Sequence, residues 1–374
     1  MKNRRLAALI SAGVLTAVSV AGCGGSAAPA TTAAPATTAA PAAAETKAAE
    51  TSAAGASESE APAKPAKVYE IKMATTNPNT DPSVLVMEEM CKKINERTNG
   101  GVNMVLYPNS ELGANDECIE QVVSDAAMMY FGDISNYSDY VPESTTLCAA
   151  YLYDDYHTVE KFQQTDVYNS IMSKYADQNI HVVSNSWVVG NRGVMAGGVP
   201  VKSVEDCKKL NIRVPSVDMF VDAWTSFGAN FTAEGWSAGF TDCQSGLLNG
   251  AEGTPGKMTS SDLGSVLKNP VYSCINYMVV TVAWACGEGF WQSLPAEYQE
   301  IITEEMANYA TINNEKVASL EDEQLADLES RGVTVIRSNE IDIDSLKNAV
   351  AEKNATYPMW DEVSSAVNEI IASK

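Results

Sequence analysis

One arginine stands where a charge is hard to place. Asn211-Ile212-Arg213-Val214-Pro215 reads as a short apolar strand stopped by proline, with Arg213 inside it. A guanidinium held there serves best as a fixed cation facing a cleft, and its planar fork of donors matches the two oxygens of a carboxylate. A second arginine, Arg192, lies in Gly190-Asn191-Arg192-Gly193. Downstream come Trp236, in a glycine-rich setting, and Leu248-Asn249-Gly250-Ala251-Glu252-Gly253. Together these residues offer capture of an anion, with Glu252 as an acid that could instead hold Arg213 in a structural ion pair.

Composition removes competing chemistries. The 374 residues carry 48 Asp+Glu against 25 Lys+Arg, the wrong sign for a nucleic-acid face. The sign is also wrong for long-range steering of an anion, so a few local cations must hold any anionic ligand. Two histidines leave little material for metal sites or acid–base relays; His157 and His181 read as bordering a helix and a strand. There is no Ser/His/Asp set, metal-ligand spacing or phosphate loop, so neither an enzyme nor a cofactor is expected. Apart from Cys23 the chain has seven cysteines, an odd number without a C-x-x-C pair. Buried free thiols are expected, with a disulfide or two left open.

The N-terminus reads as an address. Lys2, Arg4 and Arg5 precede a short apolar core, Leu6 to Val20, which ends in Val20-Ala21-Gly22-Cys23. That is the pattern of a lipoprotein signal over 1–22 with lipid attachment at Cys23; the core is shorter than the ~20 residues needed to span a bilayer. Residues 26–67 are Ala/Pro/Thr-rich, later joined by Glu and Ser, and cannot bury enough apolar surface to fold. Residues 23–67 are therefore expected to tether a globular body to the membrane.

In that body strands and helices alternate, the pattern of an α/β layered architecture with largely parallel sheets. Strands are expected near 68–73, 102–106, 127–131, 180–189, 211–214, 249–252 and 278–285. Helices are expected from Pro82, around 118–123, at 157–175 and 204–210, and at 217–227 and 236–247. In such sheets ligands bind beyond the carboxyl ends of strands, where Thr75, Asn115 and Asp133 stand; Asn115 and Asp133 could equally cap the following helix or turn. The longest periodic run, Pro295 to Arg331, predicts a helix long enough to tie two lobes together. A short strand (333–336) and two closing helices (344–354 and 358–373) follow.

The segments GVNMVLYPNSELG (Gly101–Gly113), GNRG (Gly190–Gly193), SVEDCKKLNIRVP (Ser203–Pro215), FGANFTAEGWSAGF…GLLNGAEG (Phe227–Gly253) and FWQSLPAEYQEII (Phe290–Ile302) resemble the DctP-type solute-binding proteins of TRAP (tripartite ATP-independent periplasmic) transporters. The resemblance covers nearly all of Val68 to Asn354. It implies a two-lobed fold like that of periplasmic binding proteins (type II-like) with a long lobe-spanning helix. Lobe I would take 68–189 plus about 279–318, and lobe II 190–278 plus about 319–374. It passes the carboxylate clamp to Arg213 and a supporting role to Arg192, touching the ligand or orienting its neighbours. Trp236 would pack on the ligand's apolar side, across the cleft from Arg213. Thr75, Asn115 and Asp133 would give polar contacts, with Glu252 and Gly253 also at the site.

Departures from the family pattern bear on the substrate. Its Asp is Asn249 here, the usual following Asn is Gly253, Trp236–Phe240 lacks a Glu and a Tyr, and a common His is missing near Tyr277. The usual C4-dicarboxylate becomes doubtful, and Asp133 suits a ligand hydroxyl or amine. The expected function is a lipid-anchored, extracytoplasmic receptor that delivers an organic acid to the small and large TRAP membrane subunits. A signalling receptor of the same fold and an ABC-type solute-binding lipoprotein are the alternatives.

Overall fold

Two β-sheets organise residues 66–374, the part of the chain that the computed structural model describes. The first stretch runs β1 (Tyr69–Thr75), α1 (Pro82–Arg97), β2 (Val102–Tyr107), α2 (Asn115–Val123), β3 (Met128–Asp133), α3 (Ser144–Leu147), α4 (Tyr156–Phe162), α5 (Asp166–Asp177) and β4 (Ile180–Asn191). The second runs β5 (Gly193–Gly197), α6 (Val204–Cys207), β6 (Asn211–Val214), α7 (Asp218–Ser226), β7 (Asn230–Ala233), α8 (Trp236–Ser245), β8 (Gly250–Gly253), α9 (Pro255–Ser260) and β9 (Pro270–Ser273). The chain then returns through β10 (Val279–Gly287), α10 (Glu288–Gln292), α11 (Ala296–Ser330), β11 (Thr334–Ile336), α12 (Ile343–Asn354) and α13 (Trp360–Ala372).

One sheet has the order β2-β1-β3-β10-β4, the other β11-β9-β5-β8-β6-β7. The mixed α/β, two-lobed architecture is the expected one, but the sheets are less parallel than the alternation suggests. Strand β10 is antiparallel to both β3 and β4, and β5 is antiparallel to β8 and β9. The cause is the route: β4 leaves the first sheet for the second, and β10 brings the chain back beside it. Every residue of β10 is buried, as a central strand covered on both faces requires. Strands β5, β7 and β9 are each too short to show alternation and escaped the sequence reading.

Local chemistry sets the boundaries. Helix α1 opens on Pro82 with Asp81 accepting from the Ser83 N–H, and buries Val84, Met87, Met90, Cys91 and Ile94 on one face. The single helix expected over 157–175 is two, because the Thr165 hydroxyl caps α5 by accepting from the Tyr168 N–H (3.2 Å). The stretch 319–374, assigned from sequence to lobe II, also needs correcting. Helix α12 packs on α6 and α7, but α13 packs on α3, α4 and α5 of lobe I. Its buried residues Val363 and Val367 join the cluster that includes Leu147 and Phe162.

Helix α11 runs 35 residues unbroken, about 50 Å at the usual rise. It packs on α1 and β4 in one lobe and on α9 and β11 in the other, so it spans both. Buried Asn313 and Asn314 fasten it to β4. Asn314 accepts from the Val188 N–H (2.9 Å) and donates to the Ser186 carbonyl (2.8 Å), and Asn313 donates to the Val188 carbonyl (2.8 Å).

The seven cysteines from Cys91 to Cys286 are all buried and unpaired. Burial pushes the thiols up, Cys91, Cys207 and Cys274 to about 12 and Cys243 to about 11. No helix among the described residues is long and apolar enough to cross a membrane. The signal segment, Cys23 and nearly all of the tether lie outside the described residues.

Replacing Asn314 by Leu would strand the Val188 N–H and the Ser186 carbonyl inside the protein. At about 1–3 kcal/mol per orphaned group, Asn314→Leu is expected to lower the unfolding free energy by about 2–6 kcal/mol. Denaturant titration checks this; a loss within error would mean that the clasp does not hold the helix.

Candidate anion-binding cleft

The site begins where the chain crosses between sheets. Arg192 lies between β4 and β5, and its backbone pairs with the returning strand: its N–H donates to Met278 O (3.0 Å) and its carbonyl accepts from the Tyr277 N–H (3.2 Å). From this crossing the Arg192 side chain reaches Glu252 on β8 in a bidentate pair, Nε to Oε2 at 2.7 Å and Nη2 to Oε1 at 2.5 Å. The Tyr277 hydroxyl donates to the same carboxylate at 2.7 Å. Glu252 is fully buried, whereas the Arg192 side chain keeps 15% of its surface exposed. Burial works against the Arg192 charge, but the Glu252 carboxylate more than offsets it and the guanidinium pKa is raised. The reverse face of Arg192 stacks over Phe220 at 4.7 Å.

Arg213, on β6, is placed differently. Its Nε donates to the Glu234 carbonyl at 2.8 Å, and its Nη1 stands 3.7 Å from Glu252 Oε1, too far for a hydrogen bond. The structural ion pair considered for Arg213 is therefore present at 3.7 Å, but the hydrogen bonds to Glu252 come from Arg192 and Tyr277. Burial lowers the Arg213 pKa; Glu252 opposes that shift and Arg192 reinforces it. Gly239, on α8, makes room for this side chain, because a methyl group there would collide with Cβ and Cγ of Arg213.

Trp236, the first residue of α8, lies with its ring centroid 5.4 Å from the Arg213 guanidinium carbon and 4.6 Å from Lys257 Nζ. It rises from the same lobe as Arg213, so it stands beside the arginine rather than across the cleft. Lys257 sits in the first turn of α9, which Thr254 caps by accepting from the Lys257 N–H (3.2 Å). Partial desolvation lowers the Lys257 pKa, with Arg213 and then Arg192 adding repulsion.

These side chains line two adjoining cavities. The larger, about 530 Å³, is bounded by Arg192, Arg213, Trp236 and Lys257 on one side and by Asn77 and Asp81 on the other. The smaller, about 220 Å³, takes in Asn115, Tyr130, Asp133, Asn136 and the other side of Arg192. Asp133 Oδ1 accepts from the Ser135 N–H (3.0 Å) and hydroxyl (2.9 Å) and from the Cys148 thiol (3.6 Å), leaving Oδ2 for the cavity. Burial raises the Asp133 pKa against the pull of those bonds and of Arg192. Asn115 opens α2 while its Oδ1 accepts from the Tyr130 hydroxyl, so its amide NH₂ is free to donate.

Of the residues expected from sequence, Arg213, Arg192, Trp236, Asn115 and Asp133 line the cavities. Thr75 does not: it is buried, its hydroxyl accepts from the Asn77 N–H (3.2 Å), and Thr76 and Asn77 face the cleft instead. Glu252 lies behind Arg192 as its counter-ion. Gly253 is also set back, its carbonyl accepting from the Tyr272 hydroxyl (2.9 Å), and a Cβ there would approach Met258 Cε at 2.7 Å. Sequence reasoning missed Lys257 and Tyr277. The Thr254-Pro255 helix start could have pointed to Lys257; nothing local marks Tyr277. The described residues hold no cluster of three or more His, Cys, Asp or Glu able to bind a metal.

The family model for DctP, "bacterial extracellular solute-binding protein, family 7", matches residues 73–358. The chain is similar to the C4-dicarboxylate-binding periplasmic protein DctP of Rhodobacter capsulatus, 23% identical over 288 residues, 77% of this chain and 80% of that one. Its fold is similar to a TRAP periplasmic solute-binding protein of Fusobacterium nucleatum with bound sn-glycerol-3-phosphate. There the TM-score is 0.75 at 23% identity, over 82% of this chain and 99% of the other. A second TRAP protein, from Actinobacillus succinogenes with bound L-galactonate, gives a TM-score of 0.73 at 22% identity, over 80% and 99%.

Two outcomes test this geometry without a ligand. Glu252→Gln leaves the Arg192 charge unmatched and is expected to cost about 3 kcal/mol of stability. That is the low end for a broken buried pair, because Arg192 keeps an edge exposed in the cleft; equal stability in denaturant titration would refute the pairing. The second outcome concerns Asp133. Its folded pKa is raised above the ~3.9 of an unfolded chain, so its contribution to stability is full below that value and lost as pH rises through the folded pKa. Asp133→Asn keeps the acceptor and removes this loss, so its stability relative to wild type should improve from pH 4 to 7; a flat difference would count against a desolvated carboxylate.

Proposed function

The chain belongs to the bacterial extracellular solute-binding proteins of family 7, and on that premise we propose that it is the solute receptor of a TRAP transporter. It captures an organic acid between its lobes and delivers it to the small and large membrane subunits. The family match does not favour an ABC-type receptor. Residues 1–22 act as the lipoprotein signal and Cys23 carries the lipid, so the receptor works outside the cytoplasm on the end of its tether. Family membership is that of a binding protein rather than of an enzyme.

The observation that carries this reading is the division of labour between the two arginines. Glu252 hydrogen-bonds to Arg192, whereas Arg213, 3.7 Å from the same carboxylate, keeps its two terminal nitrogens free of hydrogen bonds to the described residues at the wall of a cavity large enough for a small organic anion. A ligand carboxylate accepting two bonds from those nitrogens supplies the hydrogen-bonded counter-charge that Glu252 gives to Arg192 instead. Asn77 and Asp81 of the first lobe face the same cavity, so a bound ligand touches both lobes and stabilises the closed arrangement. Asn115 and Asp133 receive a hydroxyl or amine on the ligand's far end. Sugar acids and C4-dicarboxylates, the ligands of similar proteins, fit this description to different degrees, and the free donor and acceptor in the smaller cavity favour a hydroxylated acid.

A thermal-shift screen against a panel of hydroxylated and plain carboxylates tests the reading. A ligand at 100 times its dissociation constant adds about 2.7 kcal/mol. Arg213→Ala should weaken that ligand by roughly 30-fold or more, the lower bound for truncating one partner of a desolvated charge pair, without changing the fold. A shift equal to that of the wild type in Arg213→Ala would rule out the clamp.

A further inference from the structure

We infer that Lys257 is a second ligand-directed cation, and that among the organic acids this cleft takes, those with a compact dianionic head, a phosphate monoester, bind more tightly than those with a lone carboxylate. The inference rests on the receptor reading above and names the ligand class for the same cleft.

Three cations line the larger cavity. The Arg192 fork is occupied by Glu252, so it offers the ligand little net charge. Arg213 has one donor on the Glu234 carbonyl and the rest of its guanidinium free. Lys257 Nζ has no carboxylate within ion-pair distance and no acceptor among the described residues, yet it is held over the ring of Trp236, on which Arg213 also lies. Trp236 therefore carries two cations on one wall, Arg213 in a 3.7 Å ion pair with Glu252 and Lys257 in none. Two acids face the same space: Asp81, whose Oδ1 accepts from the Ser83 N–H (2.9 Å) and whose charge favours that of Lys257, and Glu321, which accepts from the Asn191 amide (3.2 Å). Neither forms an ion pair with Arg213 or Lys257.

A single carboxylate has two oxygens, and the Arg213 fork satisfies both. Lys257 would then remain without a ligand partner, its pKa lowered first by desolvation and then by Arg213 and Arg192, with Asp81 opposing. A phosphate monoester carries nearly two charges and three acceptor oxygens. It can accept from the fork and still present an oxygen to an ammonium, which acts as a point charge and needs no fixed geometry. Lys257 sits at the exposed edge of the cleft, where a head group entering the open form meets it first.

Calorimetric titration of the full chain with matched probes tests the inference: glycerol phosphate against glycerate, and glucose 6-phosphate against gluconate. Within a binding pair the phosphate ester should bind more tightly. Lys257→Met should weaken the ester roughly 10- to 100-fold, the range for losing one charge-assisted bond, and leave the carboxylate unchanged. Lys257→Arg should restore the preference, which a mere prop for Trp236 would not do. If carboxylates bind as tightly as esters, or Lys257→Met weakens both alike, this inference falls and the receptor reading stands. If neither class binds and Arg213→Ala alters nothing, both fall together.

Discussion

A carboxylate with no exposed surface, Glu252, governs the cleft. Burying it demands a matched cation, and Arg192 meets the demand with two parallel hydrogen bonds while Tyr277 takes a third. These three side chains come from the crossing between sheets, from β8, and from the run leading into β10. The pair therefore sits where the chain passes from one lobe to the other. Because Glu252 spends its hydrogen bonds on Arg192 and Tyr277, Arg213 meets it only as an ion pair at 3.7 Å and its terminal nitrogens carry no hydrogen bond to the described residues. One structural pair thus decides which arginine is available to a ligand.

The two walls of the cleft have different chemistry. Lobe II supplies the cations, grouped around Trp236 and given room by Gly239. Lobe I supplies polar acceptors and donors, with Asp133 held between desolvation and its Ser135 bonds. On the proposed reading, an anion with a polar far end would lie across that gradient in one orientation, and specificity would come from the pairing of walls as much as from any one contact. The long helix α11, fastened to β4 by Asn313 and Asn314, fixes the frame against which the walls are set.

Much of this was legible in the sequence because the signals are local. The Pro82 start of α1, the apolar period of α11 and the stop at Pro215 each depend on a few neighbouring residues. The mixed strand directions were not legible, since they follow from β4 leaving and β10 returning nearly ninety residues later. Arg213 and Arg192 could both be picked out, yet which of them pairs with Glu252 depends on reach across three strands. Trp236 was found but put on the wrong wall, because a resemblance conveys a contact without its direction. Thr75 is a near miss of one residue: it is the last, buried residue of β1, and the exposed Thr76 just beyond the strand lines the cleft.

The seven buried thiols carry a consequence for how the chain reaches this structure. Outside the cytoplasm a cysteine meets oxidants, and an accessible thiolate is the form that reacts. In the finished fold burial closes off both access and ionisation. On the way there each side chain passes through a state in which neither protection exists. Maturation is therefore a race, in which packing of the strands and helices around the sulfurs must outrun their oxidation. Once the race is won, the folded receptor needs no disulfide to keep its shape and no reductant to keep its cysteines.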